Sequence, residues 1–155
     1  MFTTLRYPTK QQSLIWLRRR QKDQSSDIAK DLKVSRPFVS MEQKRAEARI
    51  KKLLEHTASV NRVKIQRLSA QYGIAQGYCH AYDSQTFITY SPKIGVQNWY
   101  VHKGNCGLCD MEEQCKETLH TLAEEWDIPI PPGMPPTELG DFLFNTIRRR
   151  LKWNT

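Results

Sequence analysis

Four cysteines, Cys79, Cys106, Cys109 and Cys115, stand in the pattern C-x26-C-x2-C-x5-C. Two cysteines separated by two residues form a knuckle in which both sulfurs can face one ion. Gly104, Asn105 and Gly107 supply the pliable backbone that such a turn favours. Cys115 falls four residues before Leu119, on the helical face shared with Leu122 and Trp126, so its sulfur is expected to turn inward toward the knuckle. Cys79 would close the set from another direction. Tetrahedral thiolate sites suit zinc and iron–sulfur clusters alike. Structural zinc sites usually pair two short knuckles, and this chain has one. Spacing alone leaves an iron–sulfur cluster on all four thiolates and zinc (Zn2+) both open, with scattered buried thiols as the bland reading. His80 and His102 flank the cysteines and could each replace a ligand. A lone histidine beside a metal is more often an outer hydrogen-bond partner, and both are left outside the set.

The C-x2-C-x5-C ending with one distant upstream cysteine resembles the 4Fe-4S module of endonuclease III-type glycosylases and of AddB-type nucleases. That resemblance covers residues 106–115 plus Cys79. It implies a 4Fe-4S cluster, which makes that the preferred reading over zinc, although neither enzyme's catalytic domain fits in this chain. No nucleophile elbow or phosphate-cradling glycine loop is present. Glu112, Glu113, Glu117, Glu124 and Glu125 read as the solvated face of a helix. Four cysteine ligands would also leave no open metal position, so the chain is expected not to be an enzyme and to take no small-molecule substrate.

The cysteines need elements to position them. Segments 85–90 and 96–102 are rich in β-branched and aromatic residues, and 91–95 (SPKIG) forms turns, which predicts a β-hairpin. Tyr78, Tyr82, Phe87, Tyr90, Trp99 and Tyr100 are expected to build a small core around the site. A helix is expected over 110–126, opened by Asp110 with Glu113 in capping-box spacing. A stiff linker over 128–136 holds five prolines. A last helix, 137–153, carries the stripe Leu139, Phe142, Leu143, Ile147 and Leu151.

Ahead of Gly73 the pattern is helical. Helices are expected over 9–21 and 25–32, with a third capped by Ser35 and uninterrupted by glycine or proline from Phe38 to Ser69. The stretch 25–46, SSDIAKDLKVSRPFVSMEQKRA, has the make-up of a helix-turn-helix. Ala29 is the small residue at the crossing, and Ile28, Leu32, Val34 and Val39 clamp the pair. The second helix would present Ser35, Arg36, Phe38, Ser40, Gln43 and Lys44 to a major groove. Arginine, glutamine and lysine read base edges, and serine and lysine reach phosphates. Lys33 stands where glycine is commonest in such turns. The bland alternative is a helical hairpin with a solvated basic face. The segment, with DIAKDL upstream, resembles the helix-turn-helix of archaeal Tfx-type DNA-binding proteins over residues 9–54. The resemblance implies an archaeal source, transcription regulation, and DNA contacts at Arg36, Ser40, Lys44 and Arg45.

Charge supports the division. The 155-residue chain carries +8, but residues 1–70 hold 17 Lys/Arg against 6 Asp/Glu, while the remainder holds 7 against 10. A basic front suits a polyanion, here double-stranded DNA. The expected fold is α+β: an all-α helix-turn-helix half with a long connecting helix, then a hairpin-plus-helix cluster module and a carboxy-terminal amphipathic helix. The expected units are 1–70, 71–127 and 128–155. Ala46, Ile50, Leu53, Thr57 and Val60 fall at alternating spacings of four and three, a candidate homodimer seam, with packing against the other half as the alternative and the carboxy-terminal helix as the competing dimer element. With no apolar leader or membrane span, a cytoplasmic location is expected. The joint expectation is a DNA-binding regulator whose cluster senses redox state, oxygen or iron; the alternative is a DNA-binding protein with a purely structural four-cysteine zinc module for protein partnering.

Overall fold

The computed structural model describes residues 4–153. Three helices come first: α1 (Lys10–Arg20), α2 (Ser25–Leu32) and α3 (Arg36–Val60). Thr9 and Gln12 close a reciprocal capping box at the start of α1. Ser35 caps α3, its hydroxyl oxygen accepting from the Phe38 amide, and Pro37 sits in the first turn.

The expectation of an all-α front half followed by a single hairpin is overturned. The long helix stops at Val60, and four strands follow: β1 (Val63–Ser69), β2 (Ile74–Cys79), β3 (Ser84–Ser91) and β4 (Gly95–Tyr100). They form one antiparallel sheet in chain order. The break comes at Asn61 and Arg62, where Arg62 takes a left-handed backbone at φ +56°. Past it, Val63, Ile65 and Leu68 all pack on one side of the sheet, with a bulge between Ile65 and Arg67 keeping them there. Lack of glycine and proline allowed a helix over 61–69, but the β-branched alternation and the β2 partner decided the outcome. Gly73 makes the β1–β2 turn at φ +68°, and a Cβ there would lie 2.6 Å from the Trp16 ring. The expected boundary near residue 70 thus falls in a turn between paired strands.

After β4, a 3-10 turn (Cys106–Leu108) leads to α4 (Glu112–Glu125) and α5 (Pro136–Arg150). The expected capping box at Asp110 is not formed; Met111 precedes α4 without a side-chain cap. No described helix is long and apolar enough to cross a membrane.

The sheet has two covered faces, and its pleat decides which residue goes where. Ala75, Cys79, Ile88 and Tyr90 pack with Trp16, Ala46, Ile50, Leu53 and Leu54 of α1 and α3. Ile74, Phe87 and Trp99 pack with Leu119, Leu122, Leu139, Leu143, Phe144 and Ile147 of α4 and α5. Phe87 and Phe144 stack at 4.6 Å, worth about 0.5–1.5 kcal/mol beyond burial. A third cluster, Ile15, Ile28, Ala29 and Val39, clamps α2 to its neighbours. Ala46, Ile50 and Leu53 of the candidate dimer seam are therefore interior residues of one chain; Val60 alone of the five is well exposed. The α5 stripe is likewise taken up by the sheet.

Candidate nucleic-acid interface and thiolate site

A short turn over residues 33–35 joins α2 to α3. Lys33 takes the left-handed conformation, φ 56° and ψ 47°, and the Val34 amide donates to the Ala29 carbonyl. Lys33 thus adopts the conformation that glycine usually supplies. Ala29 is buried at the crossing, as its size permits.

The predicted DNA contacts divide into two groups. Arg36, Ser40 and Lys44 are exposed and lie four residues apart, one above another on a single face of α3. Ser35 is exposed too, and while its oxygen caps α3 its hydroxyl hydrogen stays available. The others carry internal duties. Phe38 is half-buried. Gln43 accepts from Arg19 and donates to Glu47, both at 3.3 Å. Arg45 pairs at 2.8 Å with Glu42, whose other oxygen accepts from the buried Gln12 amide.

The structure adds residues that the sequence did not single out. Arg19, Lys22, Gln24, Ser25, Ser26 and Arg36 line one cleft, and Ser25, Arg36, Pro37 and Ser40 line another beside it. Three cations thereby converge on the amino-terminal end of α2, where free amides and the helix dipole favour an anion. The arginine run was legible only as a helix-end charge; its role in the cleft depends on how α1 crosses α2.

The four cysteines are not brought together as expected. Cys106, Cys109 and Cys115 line one pocket of about 240 Å3, with His102, Lys103, Gly104, Asn105, Glu112, Pro136 and Thr137. Cys79 is fully buried on the opposite face of the sheet, among α3 residues, its Sγ 3.8 Å from the Asn61 carbonyl. The pleat is the physical reason. Even-numbered Ile74 and Gln76 face α4 and α5, so odd-numbered Ala75, Gly77 and Cys79 must face α1 and α3. The interval from Cys79 to Cys106, which holds β3 and β4, cannot reverse that assignment.

The three remaining sulfurs sit on well-built backbone. Asn105 Oδ1 accepts from the Gly107 amide at 3.0 Å, and the Cys109 amide donates to the Cys106 carbonyl at 3.1 Å. The Met111 amide donates to Cys109 Sγ at 3.4 Å. Cys106 is buried with its sulfur 3.7 Å from Thr137 Oγ1, at the amino-terminal turn of α5. Burial pushes the Cys115 thiol above its ordinary value, and the neighbouring Cys109 and Cys106 push it the same way. His102 is exposed at the mouth. Its Nδ1 lies 2.7 Å from the Tyr100 carbonyl, which can only accept, so Nδ1 carries a proton and Nε2 is the ring nitrogen outside that bond. Among the described residues no group of three or more His, Cys, Asp or Glu side chains is placed so that it could hold a metal ion as it stands.

His80 stacks edge-on against Tyr78 at 4.9 Å and does not line the pocket. Of the expected aromatic core, Phe87 and Trp99 back the thiolate side. Tyr90 and Tyr100 face α1 and α3, and Tyr82 is 71% exposed. A larger cavity of 690 Å3 lies between the carboxyl ends of α1 and α4. Its walls include Arg20, Glu125, Trp126 and Arg150, several of them bonded to one another. Comparison with family models, with characterised proteins and with solved structures finds no match for this chain.

Proposed function

We propose that this protein is a DNA-binding transcription regulator that grips duplex DNA through α2 and α3. The observation that carries the reading is the exposed stripe Arg36, Ser40 and Lys44, flanked by the Arg19–Lys22–Arg36 cleft. The stripe suits base edges and the cleft suits a phosphate, a division of labour that groove-reading helices require. The back half supplies a thiolate site. Any four-cysteine site, 4Fe-4S or zinc, would need Cys79 beside the other three, and Cys79 lies behind the sheet; three cysteines completed by a ligand of another type suit zinc.

Electrophoretic or anisotropy titrations with duplex DNA test this. Arg36→Ala should cost about tenfold or more on a selected sequence, the loss expected of one base-reading contact. Lys22→Ala should weaken all sequences alike and flatten the dependence of affinity on salt. Unchanged affinity in an Arg36→Ala/Lys44→Ala double variant that remains folded would remove the reading.

A further inference from the structure

We propose that Cys106, Cys109, Cys115 and His102 hold one tetrahedral divalent ion of the zinc class, with Cys79 outside the set. The proposal builds on the thiolate-site part of the reading above and is independent of its DNA-binding part. Four observations converge. The three cysteines and His102 line a single pocket. The Cys106–Cys109 knuckle is held by backbone hydrogen bonds, and the Met111 amide already donates to Cys109 Sγ, as amides do to metal-bound thiolates. The Cys106 thiol is itself held, donating to Thr137 Oγ1 at 3.7 Å in the first turn of α5. His102 is anchored through Nδ1 to the Tyr100 carbonyl, the bond that orients a ligating imidazole and leaves Nε2 to bind.

Three thiolates and one imidazole make a closed set for zinc, with no position left for water or substrate. Binding releases the three thiol protons to solvent while the neutral imidazole releases none, so the ion carrying two charges meets three. Lys103, in the same pocket wall, offsets the excess negative charge. Cys79, deep in the core beside α3, acts as a small apolar residue.

Titration of the reduced, metal-stripped full chain with cobalt(II), followed by zinc competition, tests the ligand set. Wild type should bind about one ion with tetrahedral d–d bands and a charge-transfer band of three-sulfur intensity. Cys79→Ser should bind with the same stoichiometry and spectrum. His102→Ala, at an exposed position that folding tolerates, should weaken binding by more than the roughly 10–100-fold that loss of an outer partner costs. His102→Cys should restore binding with a four-sulfur spectrum. A spectrum unaltered by His102→Ala would remove His102 from the set, and binding abolished in a Cys79→Ser chain that remains folded would return Cys79 to it; either outcome overturns the proposal. Iron and sulfide near four per chain in anaerobically purified protein would overturn the single ion in favour of a cluster. No cobalt binding by wild type would overturn the ligand set and the thiolate module together, leaving the DNA titrations untouched.

Discussion

Arg18, Arg19 and Arg20 follow one another and leave α1 in three directions, about 100° apart as helical geometry dictates. Arg18 pairs with Asp23 and Asp31, each at 2.8 Å, binding α1 to α2. Arg19 reaches Gln43 of α3. Arg20 goes inward between Trp16 and Trp126, 4.9 and 4.5 Å from their rings, and donates to the Tyr72 and Glu125 carbonyls. Burial lowers its pKa to about 10, leaving it charged at neutral pH. Arg20→Ala should cost about 3 kcal/mol in urea unfolding, since it removes two ring contacts and orphans two carbonyls. Glu125 nearby answers to pH. Burial pushes its carboxyl up, while the Ser91 hydroxyl, donating at 2.6 Å, offsets part of that. A raised folded value means stabilisation that is complete below the unfolded carboxyl range and lost as pH rises through the folded value. Glu125→Gln keeps the acceptor and cannot ionise. Relative to wild type it should therefore gain stability as pH rises out of the unfolded carboxyl range, about pH 4, and a difference that stays flat above it would contradict the assignment.

Elements of this chain were legible where local signals agreed with tertiary ones. The range of α2 was readable to the residue, and α1, α3's start, β3, β4, α4 and α5 lay within a few residues of their places. What escaped were features set by partners distant in sequence. The alternation at Val63 and Ile65 is too short to announce a strand after a long helical run; pairing with β2 makes it one. The side on which Cys79 falls follows from the parity of a strand that was itself unforeseen. Two substitutions test the element scale. Lys33→Gly should stabilise the helix pair by up to about 1 kcal/mol, because lysine bears a left-handed strain that glycine avoids. Gly140 of α5 lies against Trp99, where a Cβ would come within 2.6 Å of the indole. Gly140→Ala should cost about 1–3 kcal/mol, visible as an earlier denaturant midpoint, because α5 must then lift from the sheet.

In the whole molecule the sheet stands between two layers of helix. Helices α1 to α3 rest on one side, with their own clusters at Trp16 and Val39, and the three-cysteine pocket lies on the other. Cys79, the one cysteine that could have tied the pocket to α3, is instead packed on the α3 side without reaching the pocket. A route between the sides does exist. The carboxyl end of α4 receives Arg20 of α1, and Arg150 of α5 donates to the Trp126 and Asp127 carbonyls at the same corner. The pocket, however, is at the other end of α4, a 14-residue helix whose middle is fixed by Leu119 and Leu122 in the core. Chelation should therefore act on stability and leave recognition largely alone. Zinc at a hundred times its dissociation constant should add about 2.7 kcal/mol by mass action, seen as a melting temperature that climbs with free zinc. DNA affinity, measured in the same buffers at fixed salt, should shift by less than about threefold, roughly 0.65 kcal/mol of coupling. A tenfold or greater shift that Arg20→Ala abolishes would show instead that the α1–α4 corner carries a signal, and the protein would then be a metal-responsive switch.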